Sequence, residues 1–169
     1  LALKRLGATH SVPALLGVFK GETDQGVKYD IARTLGTMGD RSSVFPMINV
    51  LAKEQSWFVK RGCVESLGFI GNDMAMNALA KILVTDAGED AAWARTKAAW
   101  GLSAIGQRSV PLLIRALNDN EEGTRRRAGW ALVKIGTPAG RAVMGSLREI
   151  HKDTRGRAAQ ILGWIGDEN

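Results

Sequence analysis

Leu35-Gly36-Thr37-Met38-Gly39 returns, with small changes, as Leu67-Gly68-Phe69-Ile70-Gly71, Leu102-Ser103-Ala104-Ile105-Gly106, Leu132-Val133-Lys134-Ile135-Gly136 and Leu162-Gly163-Trp164-Ile165-Gly166. Near the start, Leu3-Lys4-Arg5-Leu6-Gly7 reads the same way. The final glycines lie 32, 32, 35, 30 and 30 residues apart. A near-constant period of that size marks a stack of one supersecondary unit. Counting back from the glycine, position −4 is always Leu, position −1 is Leu, Met or Ile, and position −8 is Ile31, Cys63, Ala98, Ala128 or Ala158. These positions make one helical stripe, with small residues at −8 and −7 that allow close helix packing. The glycine suits a helix stop, because it takes a left-handed conformation without a Cβ penalty.

A second apolar helix follows each glycine, as in 12–19, 44–51 and 110–117. Pro13 and Pro111 fall near helix starts, where a missing N–H costs little; Pro46 and Pro138 read the same way, Pro46 less cleanly. The pattern predicts helices over 11–20, 25–38, 42–54, 57–70, 74–84, 90–105, 109–118, 121–135, 138–151 and 154–165, with 1–6 the tail of an earlier helix. No strand pattern survives. The chain reads as all-α, a single array of about five helix-pair repeats over 1–169 without linkers. It opens without Met inside an apolar pattern, Leu1-Ala2-Leu3, so a fragment of a longer chain is expected. The end repeats, which lack a neighbour, are expected to leave Leu1, Leu3, Leu6, Ile161 and Ile165 exposed or covered by another chain. Between Gly71 and Glu89 the repeat is longer than elsewhere, and the surplus is expected as a loop near 84–88.

Two charged positions also recur. Position −17 is Glu22, Glu54, Glu89, Asp119 and Glu149, and position −11 is Lys28, Lys60, Arg95, Arg125 and Arg155. A base in a helix's first turn opposes the helix dipole. A carboxylate of the same or the adjacent inter-helix turn is therefore its expected partner, giving a ladder of ion pairs along the stack.

The run Arg155-Gly156-Arg157-Ala158-Ala159-Gln160-Ile161-Leu162-Gly163-Trp164-Ile165-Gly166-Asp167 resembles the HEAT-like repeat of the phycobilisome (bilin) lyase type, and the resemblance covers nearly the whole chain. It implies a right-handed α-α superhelix, a HEAT/armadillo-like solenoid, whose second helices line the concave side. Ser103 and Val133 replace the usual glycine at position −3. Proteins with such repeats include bilin lyases, enzyme subunits, adaptors and DNA glycosylases, so the resemblance is specific for fold and weak for function.

On that geometry, positions −10, −9, −6 and −2 point into the groove. They supply Arg61, Phe69, Lys97, Trp100, Arg126, Arg127, Trp130, Lys134, Arg157 and Trp164, so the surface grows basic and aromatic toward the C-terminal end. Trp100 and Trp130 share one slot in successive repeats and are expected to be neighbours. Tryptophan and arginine are favoured where binding energy concentrates, and Arg pairs well with carboxylate or phosphate. The competing structural reading folds both rings onto the next helix. Trp57 and Trp93, at helix starts, read as inter-repeat packing.

No catalytic constellation is visible. The two histidines, His10 and His151, lie far apart in the sequence at helix ends. Neither stands in the His-Glu pairs that HEAT-type iron hydroxylases carry on inner helices. No zinc spacing and no phosphate loop appears, so neither metal nor cofactor is expected. Cys63, on the apolar stripe, reads as a buried structural thiol. A single cysteine fits a reducing, cytoplasmic setting, and no apolar run is long enough for a membrane span. The expected function is a binding scaffold for a macromolecule, with a protein of acidic character the first choice given the net charge of +6. Nucleic acid, by way of a binder or a HEAT-like DNA glycosylase relative, is the second choice. A bilin, handled as in the lyases, is the third.

Overall fold

The computed structural model describes the backbone of residues 2–85, 91–147 and 152–167, and the side chains of 11–84, 92–145, 147 and 155–166. Every regular element among them is helical: α1 (Ala2–Gly21), α2 (Gln25–Met38), α3 (Val44–Lys53), α4 (Trp57–Ile70), α5 (Asp73–Thr85), α6 (Ala91–Ile105), α7 (Val110–Ala116), α8 (Glu122–Ile135), α9 (Thr137–Ser146) and α10 (Lys152–Asp167). Short 3-10 turns, Arg41–Ser43 and Gly106–Ser109, lead into α3 and α7. The chain forms two compact units, Leu1–Ala78 and Leu79–Asn169. In the first, α2 packs along α4. In the second, α8 lies between α6 and α10, and α7 and α9 pack behind it.

The repeated phrase does what its spacing requires. Gly39, Gly71, Gly106 and Gly136 all have positive φ, between 56° and 77°, where a side chain would be strained. In two repeats the residue after the stop caps the next helical turn. The Asp40 carboxylate accepts from Ser42 N at 2.8 Å, and the Asn72 carbonyl accepts from Ala75 N at 2.8 Å. Leu35, Leu67, Leu102 and Leu132 are fully buried, as are Cys63, Ala98, Ala128 and Ala158 of the −8 position. Removing each such leucine from water contributes about 1.5–3 kcal/mol.

The second helices approach closely because their facing residues are small. Ser66 Oγ donates to the Ala32 carbonyl at 2.8 Å, and Gly36 lies directly against Ser66. Gly62 lies under the Tyr29 ring, and Gly129 faces Ile161.

Several expectations need correction. Gly7 does not stop a helix: α1 runs through it to Gly21, which places Pro13 in the helix interior. Gly166 is likewise inside α10. Gly7 is followed by Ala8, which has no capping side chain, whereas Asp40 and Asn72 each accept a backbone N–H. Ile161 and Ile165 are buried rather than exposed, because they pack back onto Gly129 and Gly140 instead of toward a following repeat. Val84 and Thr85 belong to α5; the rest of the expected loop, and the side chains of Leu1, Leu3 and Leu6, lie outside the described residues. Trp57 is 50% exposed, and its ring meets Phe58 of its own helix edge-on at 5.8 Å.

A methyl group on Gly36 would stand 2.5 Å from Ser66 Cβ and 2.7 Å from its Cα. Gly36→Ala should therefore cost about 1–3 kcal/mol in urea denaturation, the usual range for overpacking. Gly163→Ala, which opens into empty space, should be neutral or gain about 0.5–1 kcal/mol from helix propensity. Equal midpoints for the two variants would contradict the close contact.

Candidate functional site

Successive second helices bring the same register position together. In the second unit, position −6 holds Trp100 on α6 and Trp130 on α8, and their rings stack with centroids 5.6 Å apart and planes 23° apart. Trp100 remains 59% exposed, and Lys97 Nζ lies 5.7 Å from its ring centroid. The packing that buries the −8 and −4 residues leaves these rings outside the core. Offset aromatic pairs of this kind add about 0.5–1.5 kcal/mol beyond area burial.

Two clefts flank Trp130. The first, about 600 Å³, lies between α6 and α8 and is lined by Thr96, Trp100, Arg126, Arg127 and Trp130, among others. The second, about 370 Å³, lies between α8 and α10 and includes Glu122, Arg126, Trp130, Arg157 and Trp164. Arg126 is exposed and forms part of both walls. Arg127 Nε donates to Thr96 Oγ1 at 3.1 Å, and Arg157 Nη2 meets Glu122 Oε1 at 3.4 Å. The Nη1 atoms of both Arg127 and Arg157 are buried without a hydrogen-bond partner. Lys134, exposed in the last turn of α8, is not part of either cleft wall. Lys97 stands over the face of Trp100.

Arg61 and Phe69 lie in the first unit. Arg61 Nε donates to Glu65 at 3.1 Å, and Phe69 is 59% exposed. The same register contact recurs there with different chemistry. Arg33 and Glu65, both at position −6, come within 4.0 Å. The Arg33 guanidinium is held above its ordinary pKa, mainly by its hydrogen bond to the Tyr29 hydroxyl. Tyr29 in turn stacks on Phe58 at 4.3 Å. Sequence reasoning missed a third cleft, of about 510 Å³, whose lining includes Phe19, Phe45, Val50, Lys20 and Lys53. Its sequence signal is Phe45, an aromatic residue in the apolar helix 44–51 that the structure leaves exposed.

The charge ladder is present in altered form. Lys28 Nζ reaches Glu54 of the next turn at 2.9 Å. Arg95, however, pairs with Glu121 at 2.9 Å rather than with Asp119. Arg125 donates to the carbonyls of Asp119 and Asn120, both at 2.7 Å. The −17 carboxylates also accept backbone N–H groups: Glu22 from Thr23 and Asp24, Glu54 from Gln55 and Ser56, and Asp119 from Glu121. Asp119 is thus occupied with its own turn, while Glu121, the α8 N-cap, faces Arg95. Glu89 and Glu149 lie outside the described residues.

The HEAT repeat profile matches residues 12–97 and 88–163. The chain belongs to the HEAT repeat family. No curated protein matches it. Among solved structures, the HEAT repeats are similar to the complex of CpcE and CpcF of phycocyanin lyase from Nostoc sp. PCC7120. That match has 24% identity and a TM-score of 0.52, and covers 98% of this chain and 72% of that one. Human deoxyhypusine hydroxylase in complex with glycerol is similar at 16% identity and a TM-score of 0.35, over 93% of this chain and 85% of that one. The first match shows a shared helical-repeat fold.

Among the described residues, no group of three or more metal-ligating side chains comes together. No described helix is long and apolar enough to cross a membrane. Burial pushes the Cys63 thiol up to about 12, which removes the thiolate that nucleophilic chemistry needs. Iodoacetamide should therefore leave Cys63 unmodified in the folded protein and label it in urea. Labelling at equal rates in both would show that the helix is not packed as described.

Glu121 is held below the ordinary carboxylate range, chiefly by hydrogen bonds from Thr124, with Arg95 and Arg127 adding charge attraction. A carboxylate depressed in the folded state stabilises above its unfolded pKa and loses that contribution as pH falls through the folded value. Glu121→Gln should lower the melting temperature at pH 7, and the gap to the unsubstituted protein should narrow toward pH 3. A gap independent of pH would show that the charge of Glu121 contributes nothing.

Proposed function

We propose that this chain is a HEAT-repeat binding scaffold, and that the second helices around the Trp100–Trp130 stack hold a protein partner of acidic character. The observation that carries this reading is the stacked ring pair, Trp100 exposed and Trp130 half-buried, bordered by Arg126 and Arg127. An apolar surface left open among cations is rarely without use, and Trp with Arg is the pairing that concentrates interface energy. The lyase of similar fold was solved as a complex of CpcE with CpcF, which fits a protein partner for a scaffold of this kind. A nucleic acid would also exploit stacked rings and cations, so the test includes one.

Replacing both Trp100 and Trp130 with Ala should weaken capture of a stoichiometric protein partner by roughly thirtyfold or more, the size expected for a hot spot of about 2 kcal/mol. Helicity by circular dichroism should stay nearly intact. Loss of fold in that double variant would place the rings in the core and remove the reading. A single-stranded oligonucleotide bound more tightly than any protein, with steep loss of affinity in salt, would replace it with nucleic-acid binding.

A further inference from the structure

We infer that the two clefts flanking Trp130 act as one reader of an extended acidic segment, taking acidic side chains at positions i and i+3 of the partner. This rests on the proposed scaffold reading and adds a register to it.

The two clefts repeat one chemistry. Position −9 supplies Arg127 to the first and Arg157 to the second. In each arginine the outer nitrogen Nη1 is buried and lacks an acceptor. Arg127 and Arg157 thus bring one positive charge each to the same slot of successive clefts. The walls supply aromatic surface as well: Trp100 and Trp130 in the first cleft, Trp130 and Trp164 in the second. A glutamate side chain suits such a place, with its methylenes on an indole face and its carboxylate on the guanidinium. Arg126 stands in the wall common to both clefts and makes no hydrogen bond or ion pair among the described residues. It is placed to meet a carbonyl or a further carboxylate of the same segment between the two clefts.

The spacing follows from helix packing. Helices packed as α6, α8 and α10 are lie about 8–10 Å apart. A segment in the extended polyproline II conformation advances about 3.1 Å per residue with three residues per turn, so its side chains at i and i+3 share one face. One repeat therefore corresponds to about three residues of extended partner. A helical partner, which rises only about 1.5 Å per residue, would present its i+3 side chain too close to the first to reach the next cleft. Glu122 favours a protein over a polyphosphate chain. It stands in the second cleft, 65% exposed and on a long 3.4 Å contact with Arg157. A single incoming carboxylate can displace it from that contact, whereas a run of phosphates would meet its charge at close range.

The test uses three fluorescein-labelled nine-residue peptides in a Ser/Gly background, bearing Glu at i and i+3, Glu at i and i+1, or Gln at i and i+3. Binding to the whole chain is read by fluorescence anisotropy at low salt, beside an oligothymidylate of similar length. The i, i+3 glutamate peptide should bind at least about fivefold more tightly than the i, i+1 peptide and about tenfold more tightly than the Gln peptide, as expected for specific charge pairing. Arg127→Gln and Arg157→Gln should each abolish the spacing preference. Because the preference compares two peptides on one protein, it does not depend on unchanged stability of either variant. Equal binding of the two spacings, or a preference that survives both arginine substitutions, overturns the register. If that equal binding is still lost in the Trp100→Ala/Trp130→Ala protein, the scaffold reading stands alone. If no acidic peptide binds and the oligothymidylate does, both readings fall together.

Discussion

Gly36 against Ser66, Gly62 under Tyr29 and Gly129 against Ile161 are contacts between second helices in which at least one partner has little or no side chain. The helices can approach only because of this, and the approach fixes their relative register. Once Ser66 Oγ is seated on the Ala32 carbonyl, α2 and α4 cannot slide past each other, and the buried leucines of both fall into line. The exposed positions are then aligned by default. Arg33 meets Glu65 in the first unit, and Trp100 meets Trp130 in the second, because each pair holds the same place in its helix. The surface pairing is a by-product of the core.

This separation of roles explains why surface chemistry varies while the repeat persists. Position −4 is always Leu and position −8 is Ile, Cys or Ala, whereas −6 holds Arg, Glu, Trp and Gln in one chain. An ion pair and a ring pair sit in equivalent places without disturbing the helices beneath. Exposed ion pairs contribute only about 0–1 kcal/mol, so a slot of this kind can change its chemistry at small cost to folding.

Much of the fold was legible because it depends on local rules applied repeatedly. Leucine four before glycine gives a buried stripe, and glycine at positive φ gives the stop at 39, 71, 106 and 136. The reading went wrong in particular places. Gly7 lies inside a helix that continues to Gly21. Ile161 and Ile165 were assigned to a missing neighbour, but glycines at 129 and 140 open space for them within their own unit. Arg95 takes a carboxylate of the adjacent inter-helix turn, as expected, but which acid of that turn serves was not readable. Asp119 is engaged with the N–H of Glu121, a competition that spacing alone does not reveal. The adjacency of Trp100 and Trp130 was readable from register. The unsatisfied nitrogens of Arg127 and Arg157 were not, since they depend on how deep each guanidinium sits between helices.

The stacked indoles also carry an optical consequence. Two identical chromophores held 5.6 Å apart at a fixed angle do not absorb independently; their transitions mix into a pair of coupled states of opposite rotational strength. That coupling falls steeply, with the inverse cube of separation, so any molecule that wedges between the rings or rotates one of them would erase the couplet. The protein therefore contains its own spectroscopic gauge of ring geometry at this surface, readable by ultraviolet circular dichroism without a label and before any ligand has been identified.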